Sequence, residues 1–581
     1  MAFLGVDTSL TGRTWVGPSD DVRRAAEAME QQTQLPPAVC AVLARLGVPS
    51  DMAGKYLEPQ LRDLLPDPLT LKDMGQAAAR IVQAVRTKQR VAIFADYDVD
   101  GATSGALLIT WFRHFGVNCT LYIPDRITEG YGPNPPAMAQ LADGHDLIIC
   151  VDCGTLSHDA IAAAKQTDVI VLDHHLGGDT LPDCLAVVNP NRQDENGDLA
   201  HLCAAGVVFL TLVECSRQMR DAGPAGPNLL DMLDLVALGT VADVAPLIGV
   251  NRAFVRQGLK VMARRNRIGL VALSDAARLD GMPTSYHLGY LLGPRINAGG
   301  RIGQADLGAK LLCATDPVTA QAMADKLNHL NEERRDIEQA VRLSAMAQAE
   351  ERGLDGPLVW AAGDGWHPGV VGIVASRLKE ATNRPAIVIG VEDGIGKGSG
   401  RSVSGIDLGA AIHKLSQEGL LIKGGGHKMA AGLTVAQDMI PTAMARLAEL
   451  MTAQGAAALG APDLRLDGML MPTAATVELC DAIEQAGPFG AGAAGPKYCF
   501  AGVKINYARR VGETHLKLRF GDGLGHSMDA ICFGAYDSEL GAALENHRDR
   551  RVHLAGKLDI NIWQGRKTVQ LRLEDAAFAS S

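Results

Sequence analysis

The sequence has no excess of positive charge. Across 581 residues, 66 Asp and Glu stand against 55 Lys and Arg, a net charge of −11. No general polyanion-binding surface is laid down, and any nucleic-acid track has to be a local basic strip. The chain also lacks an apolar run of membrane-spanning length, and its first residues, MAFLGVDTSLTGRTW, carry no charged segment followed by a long apolar core. A cytoplasmic protein, without a membrane partner, is expected. Eleven cysteines are scattered along the chain and read as buried thiols rather than a disulfide framework. Cys150 and Cys153 form a CxxC, but no second one completes a zinc site. Lys397, in GIGKGSG, lacks the Ser or Thr directly after it that a phosphate-binding loop of an ATP-driven motor requires.

What is present is a glycine-punctuated α/β composition, 47% hydrophobic with 64 glycines. The length implies several domains. Residues 1 to about 75 read as a helical, proline-punctuated lead-in. The chain then alternates: strand 91–95, helix 103–115, strand 119–123, strand 147–151, helix 157–166, strand 169–172 and strand 185–188. That rhythm predicts a doubly wound parallel sheet.

The stretch RVAIFADYDVDGATSGALL places Asp96, Asp98 and Asp100 between a strand and a helix. In extended backbone, residues two apart share a side, so Asp96 and Asp98 would project together at the strand's carboxyl end. Open α/β sheets bind ligands there. Three neighbouring acids repel unless a cation offsets them, and hard divalent metals prefer carboxylate oxygen. A calcium loop of EF-hand type is excluded, because Gly101 leads into an apolar helix with no closing Glu. A solvated acidic turn is the alternative. Later segments repeat the pattern: Asp152 follows LIICV, Asp173, His174 and His175 follow VIVL, and Asp243 follows an apolar helical segment. Taken singly, the histidines could be a surface pair and Asp243 a helix cap. Together they would converge on one crevice.

In order, Asp96-Tyr97-Asp98-Val99-Asp100-Gly101, Asp152, Asp173-His174-His175 and Gly239-Thr240-Val241-Ala242-Asp243 resemble the four motifs of the DHH phosphoesterase superfamily. IPDRITEGYG (123–132), LCAAGVVFL (202–210), GPRINAGGRIG (293–303), GWHPGVVGIVASRL (365–378), GSGRS (398–402) and GGGHKMAAG (424–432) extend the likeness to its single-strand-specific 5′→3′ exonuclease branch. The resemblance implies that Asp96, Asp98, Asp152, His174 and Asp243 ligate two divalent ions, Mn²⁺ or Mg²⁺, with Asp152 bridging. It places His175 at the scissile phosphate or in support of the metal shell, and Asp100 and Asp173 behind the ligands as orienting groups. Some relatives carry a His where this chain has Ala92, which would leave one ion with fewer protein ligands. Two ions can activate a water and clamp a phosphate, so no Ser, Cys or His nucleophile is required.

The same resemblance assigns Arg126, Ser399 and Arg401 to a 5′-terminal phosphate, for which a guanidinium fork is suited. It assigns His427 and the backbone of GGGH to the scissile phosphate, and Arg295, Asn297 and Arg301 to the strand's path or to interdomain hydrogen bonds. Residues 316–352 contain no Gly and one Pro, Pro317, and predict a long helix capped near Thr315 or Asp316. Asn331, Arg334 and Arg335 on it read as a solvated charged face or a substrate contact. After about residue 462, five short β segments predict a small barrel, an OB fold by resemblance. Its strand-binding candidates are Tyr507, Arg509, Arg510, Lys517, Arg519, Trp563, Arg566 and Lys567.

The expected plan is a helical lead-in (1–75), a DHH catalytic domain (76–315), a connecting helix (316–352), a DHHA1 domain (353–455) and an OB domain (462–577). The expected activity is metal-dependent degradation of single-stranded DNA to mononucleotides in repair and recombination. Single-stranded DNA with a 5′ end is the expected partner, alongside a single-strand-binding protein and a helicase, the chain acting as a monomer. The alternatives are a phosphodiesterase for short oligonucleotides or dinucleotides, and a non-catalytic DNA-binding scaffold.

Overall fold

A computed structural model describes residues 2–126, 128–220, 225–563 and 565–579. The chain divides into two compact units, Gln60–Ala458 with Gly490–Gly492, and Met1–Pro59 with Leu459–Phe489 and Ala493–Ser581. Among the described residues no helix is long and apolar enough to cross a membrane.

The first unit is built on two sheets. In one, five parallel strands lie in the order Cys119–Tyr122, Val91–Ala95, Leu147–Val151, Asp168–Leu172 and Ala186–Val188. The Val91–Ala95 and Leu147–Val151 strands are buried at every position, as expected where helices cover both faces. Numbered along the chain, the strand order is 2-1-3-4-5, and the winding reverses between the first and third strands. The carboxyl ends flanking such a reversal form the crevice where open α/β sheets hold ligands. Asp96 and Asp152 are the residues that directly follow those two strands.

The helix after the first strand starts earlier than 103–115, the span expected from sequence. It runs Val99–His114, with Asp98 as N-cap: one carboxylate oxygen accepts from the Asp100 N–H at 2.8 Å and the Gly101 N–H at 3.1 Å. Capping ends the extended backbone at Asp98 and carries Asp100 into the first helical turn. Gly101 has no room for a side chain there, since a Cβ would lie 2.3 Å from the Asp96 carbonyl oxygen.

The helix Pro317–Arg352 is capped by Asp316, whose side chain accepts from Thr319 N at 2.7 Å. Its 36 residues span about 54 Å at 1.5 Å per residue. It packs on the Gly293–Ile302 helix at one end and on Pro368–Thr382 at the other. Part of the face expected to be solvated is buried instead: Asn331 is 4% exposed, and Arg334 donates to Asn331 at 2.8 Å and to Glu338 at 2.6 Å. The second sheet has the order Lys423–His427, Ala430–Ala436, Ile395–Arg401, Ala386–Glu392 and Val359–Asp364, antiparallel except for the last pair.

In the other unit, five strands close into a barrel: Tyr498–Val511, His515–Gly521, Ser527–Cys532, Arg566–Phe578 and Val552–Trp563, the last pairing back to the first. Phe500, Leu518, Phe520, Leu554 and Leu571 fill its core. The N-terminal residues join this unit: Trp15–Val16 pairs in parallel with Leu464–Arg465, and the buried Trp15 indole donates to Asp575 at 2.8 Å.

Candidate active site

Three groups of side chains at the crevice could each hold a cation: Asp96, Asp98 and Asp152; Asp152, His174 and His175; Asp100, His174 and Asp243. Within each group the ligand atoms lie within 4.8 Å of one another. The groups share Asp152 and His174. Asp152 comes off its strand with φ +60°, a left-handed turn that swings its carboxylate toward the first strand's acids. Asp243 ends the Leu233–Ala242 helix, which is buried from Leu233 to Thr240.

The electrostatics call for positive charge. Asp96, Asp100 and Asp152 are nearly or fully buried. Burial first, and the neighbouring carboxylates second, hold Asp96 and Asp152 well above the usual carboxylate range. The same causes push Asp243 up to about 8. One oxygen each of Asp96 and Asp152 is buried without a hydrogen-bond partner, and His174 Nε2 lies 3.2 Å from that Asp152 oxygen. Carboxylates left unpaired at such depth are costly unless a cation completes them. An oxygen-rich set with an imidazole suits Mn²⁺ or Mg²⁺, so the residues present fit a divalent metal centre.

Asp100 is more than a turn-former. Its two oxygens accept from Ala204 N at 2.6 Å and Ala205 N at 2.9 Å, tying the acid loop to the start of the Ala204–Met219 helix. Asp173 holds the histidines: it accepts from His174 N at 2.7 Å and from His175 Nδ1 at 2.8 Å, and from the Thr155 hydroxyl at 2.7 Å. Burial would raise Asp173, but these donors outweigh it and lower its pKa. Burial opposes charge on His175 too, yet the Asp173 carboxylate, helped by Asp96 and Asp243, raises it to about 9. The Asp173 carboxylate thus favours the protonated form of the His175 ring.

Two asparagines escape a reading of the sequence alone. Asn189 donates to the His175 carbonyl at 2.8 Å and to Thr155 at 2.8 Å, and Asn191 donates to the His174 carbonyl at 2.5 Å. They follow the Ala186–Val188 strand, at the same sheet edge that flags the acids. Tyr131 escapes it as well; its hydroxyl lies 3.1 Å from His175 Nε2.

Beside the acids lies a cationic group. The Arg126 guanidinium sits over the Tyr97 ring, 5.1 Å from its centroid, and Tyr97 separates Asp96 from Asp98. Arg301 donates to the Gly369 carbonyl at 3.1 Å. Burial, then repulsion from Arg126, lowers Arg301 to about 10. The same two causes lower Arg401, which donates to Ser399 Oγ at 3.0 Å. Arg126 thus lies within electrostatic reach of both Arg301 and Arg401, two guanidiniums from distant parts of the chain. Arg295 turns elsewhere, donating to Asn328 of the long helix at 2.9 Å. Asn297 is half-buried, and His427 is exposed on the edge strand of the second sheet.

Of the barrel candidates, Lys517 and Arg519 face Asp529, and Arg510 packs over Tyr536. Tyr507 is half exposed with Arg509 above its ring, and Arg566 and Lys567 are exposed. The Trp563 side chain lies outside the described residues.

The DHH family, N-terminal domain, matches residues 90–240, the DHHA1 domain residues 355–453 and the RecJ OB domain residues 466–575. The chain is 38% identical over 565 residues to the single-stranded-DNA-specific exonuclease RecJ of Dickeya dadantii, covering 94% of this chain and 97% of that one. It is 36% identical to the Escherichia coli protein of the same name, covering 95% and 98%. The crystal structure of RecJ from Thermus thermophilus in complex with Mn²⁺ superposes with a TM-score of 0.81 at 29% identity, over 98% of this chain and 80% of that one. The Mg²⁺ complex gives 0.74 at 28% identity, over 98% and 79%. With buried acids that demand a metal and relatives matched over nearly their whole length, the chain belongs to the RecJ family of single-stranded-DNA-specific exonucleases.

Proposed function

We propose that this chain is a metal-dependent exonuclease that enters single-stranded DNA at a 5′ end and releases mononucleotides, in the cytoplasm, in repair and recombination. The observation that carries the reading is the pairing of an acid pocket in need of cations with a cluster of guanidiniums in need of an anion. One phosphate can bind at the guanidiniums while the next linkage lies at the acids.

Asp96, Asp98, Asp152, His174 and Asp243 would hold the divalent ions, with Asp100 close enough to His174 and Asp243 to contribute. Bound there, such ions supply a water of lowered pKa and charge stabilisation for the phosphoryl oxygens. The chain's own groups do the rest. His175, oriented by Asp173, faces the phosphate as a donor. Asn189 and Asn191 fix the backbone that presents both imidazoles. Arg401 with Ser399, Arg301 and Arg126 receive a terminal phosphate, for which bidentate donors are suited. Asn297 would line the strand's path, with Arg295 bracing it through the long helix, and His427 with the GGGH backbone would face the scissile phosphate.

We further propose a division into a lead-in (1–75), a DHH domain (76–315), a connecting helix (316–352), a DHHA1 domain (353–455) and an OB domain (462–577). The chain would act as a monomer, on strands exposed by a helicase and delivered by a single-strand-binding protein.

The test is an assay of 5′-phosphorylated single-stranded DNA, its duplex and a dinucleotide, each with Mn²⁺, Mg²⁺ or EDTA. Metal-dependent loss of the single strand alone, as mononucleotides, is expected. Turnover of the dinucleotide alone would overturn the exonuclease reading in favour of a small-substrate phosphodiesterase.

A further inference from the structure

The segment leading to Arg301 carries two exposed aromatics that the reaction as described leaves unused. Tyr286 is 53% exposed and Tyr290 74%, and their rings stack with centroids 5.1 Å apart and planes inclined by 26°. Large aromatics normally bury most of their surface. A stacked pair left open to solvent invites a planar ligand.

The pair has a defined place relative to the metal centre. Between Ser285 and Ile302 the chain forms a short helical turn, a π-helical stretch over Leu288–Leu292 and the Gly293–Ile302 helix without a break. A glycine stripe on it lies along the catalytic segments. A Cβ on Gly289 would be 3.4 Å from Val241 Cγ1. On Gly293 it would be 3.3 Å from Ala242 Cβ and 3.9 Å from Val99 Cγ2, and on Gly300 it would be 2.7 Å from the Tyr97 carbonyl oxygen. Val241 and Ala242 lead directly into Asp243, and Val99 and Tyr97 flank Asp98. Tyr286, Tyr290 and Asn297 each stand three residues before one of these glycines, so they form a second stripe beside the first. Arg301 closes the segment at the cationic end. π-helical turns occur often at functional sites, and here Tyr290 lies within one, with Tyr286 in the turn before it.

We propose that Tyr286 and Tyr290 form a stacking platform for the bases of the strand being degraded, on the 3′ side of the linkage held at the acids. The proposal rests on the exonuclease reading above and names where its substrate is gripped. With the end phosphate at Arg126, Arg301 and Arg401 and the next linkage at the acid pocket, the continuing strand passes the Asp243 side of the crevice, where the tyrosines stand. Stacking reads no sequence, because every base has a π face. It also rejects a duplex, whose bases already stack on one another.

The experiment uses the full chain and a 5′-phosphorylated oligonucleotide with 2-aminopurine placed at successive positions, bound in EDTA so that it is not cut. Binding is verified by anisotropy, and cleavage of the same strand is verified after adding Mn²⁺. Quenching at one or two neighbouring positions downstream of the first linkage is expected, relieved in Tyr290→Ala and Tyr286→Ala and retained in Tyr290→Phe. In steady-state assays the alanine variants should raise KM for long strands by about 5- to 100-fold with kcat little changed, and spare strands that end before the quenched positions. A strand that is bound and cut but shows the same emission profile in wild type and both alanine variants would overturn the platform while leaving the exonuclease reading in place. Loss of quenching in Tyr290→Phe would point to a hydroxyl contact and also overturn it. A strand that is never cut would remove both.

Discussion

The metal pocket and the guanidinium cluster sit side by side, yet the fold assembles them in opposite ways. The pocket draws Asp96, Asp152 and the Asp173 triplet from the carboxyl ends of parallel strands of one sheet, so one repeating rule of topology places them together. The cluster takes Arg126 from a loop, Arg301 from a helix end and Arg401 from the last residue of a strand in a different sheet. Nothing local relates those three. A site made by a repeating fold rule concentrates buried like charge, whereas one assembled across elements depends on the long helix and its packing to hold its parts in register.

Four changes separate the two sites. The largest effect is expected from Asp152→Ala, which removes a group shared by two of the three ligand sets. Cleavage should fall by more than about 100-fold, the upper end of what losing even an outer partner costs. Single-strand binding by anisotropy should survive, because the guanidiniums are untouched; joint loss of both would show that the pocket is needed for the strand to bind at all. Arg401→Ala should do the converse. Preference for a 5′-phosphate over a 5′-hydroxyl should drop by about 10- to 100-fold, the value of a charged hydrogen bond, with kcat at saturation nearly kept. An unchanged preference would remove Arg401 from phosphate binding.

Asn191→Ala comes next. It frees the His174 carbonyl without touching a ligand atom, and kcat should fall by about 10-fold, with a higher Mn²⁺ requirement as its signature. The smallest effect concerns pH. Asp243 is raised to about 8 in the folded chain, so the folded state binds a proton that the unfolded state has lost. Its contribution to stability is complete below the ordinary carboxylate range and is lost as pH rises toward 8. Metal-free protein should therefore lose a few degrees of Tm between about pH 4 and 8. Mn²⁺ should displace the proton and flatten the trend, and calorimetry in buffers of different ionisation heat should detect the release. A Tm that rises with pH across that window in EDTA would contradict the assignment.

The legibility of each part follows from the same contrast. Asp96 and Asp152 are readable because an apolar run followed by a carboxylate is a local pattern with a known place in the fold. The tie that Asp100 makes is not, because its partners, the amides of Ala204 and Ala205, lie far along the chain. Asn189 and Asn191 stand at the edge that flags the acids, and carrying that rule to the last strand finds them. Asn331 and Arg334 look like a solvated face, since charge spacing on a helix does not reveal what packs against it. The five barrel strands are legible from alternation alone, but which of their cations remain open is not, because Asp529 arrives from a neighbouring strand to pair two of them.

The left-handed backbone at Asp152 implies a conflict between durability and activity. A non-glycine residue with φ +60° is held against its own preference, although Asp tolerates this better than most, and its buried carboxylate is destabilising until a cation arrives. Glycine at that position would remove both burdens. An Asp152→Gly chain should therefore melt higher than the metal-free wild type, and the position where the largest loss of cleavage is expected would be one where selection for a tougher fold alone would discard the aspartate.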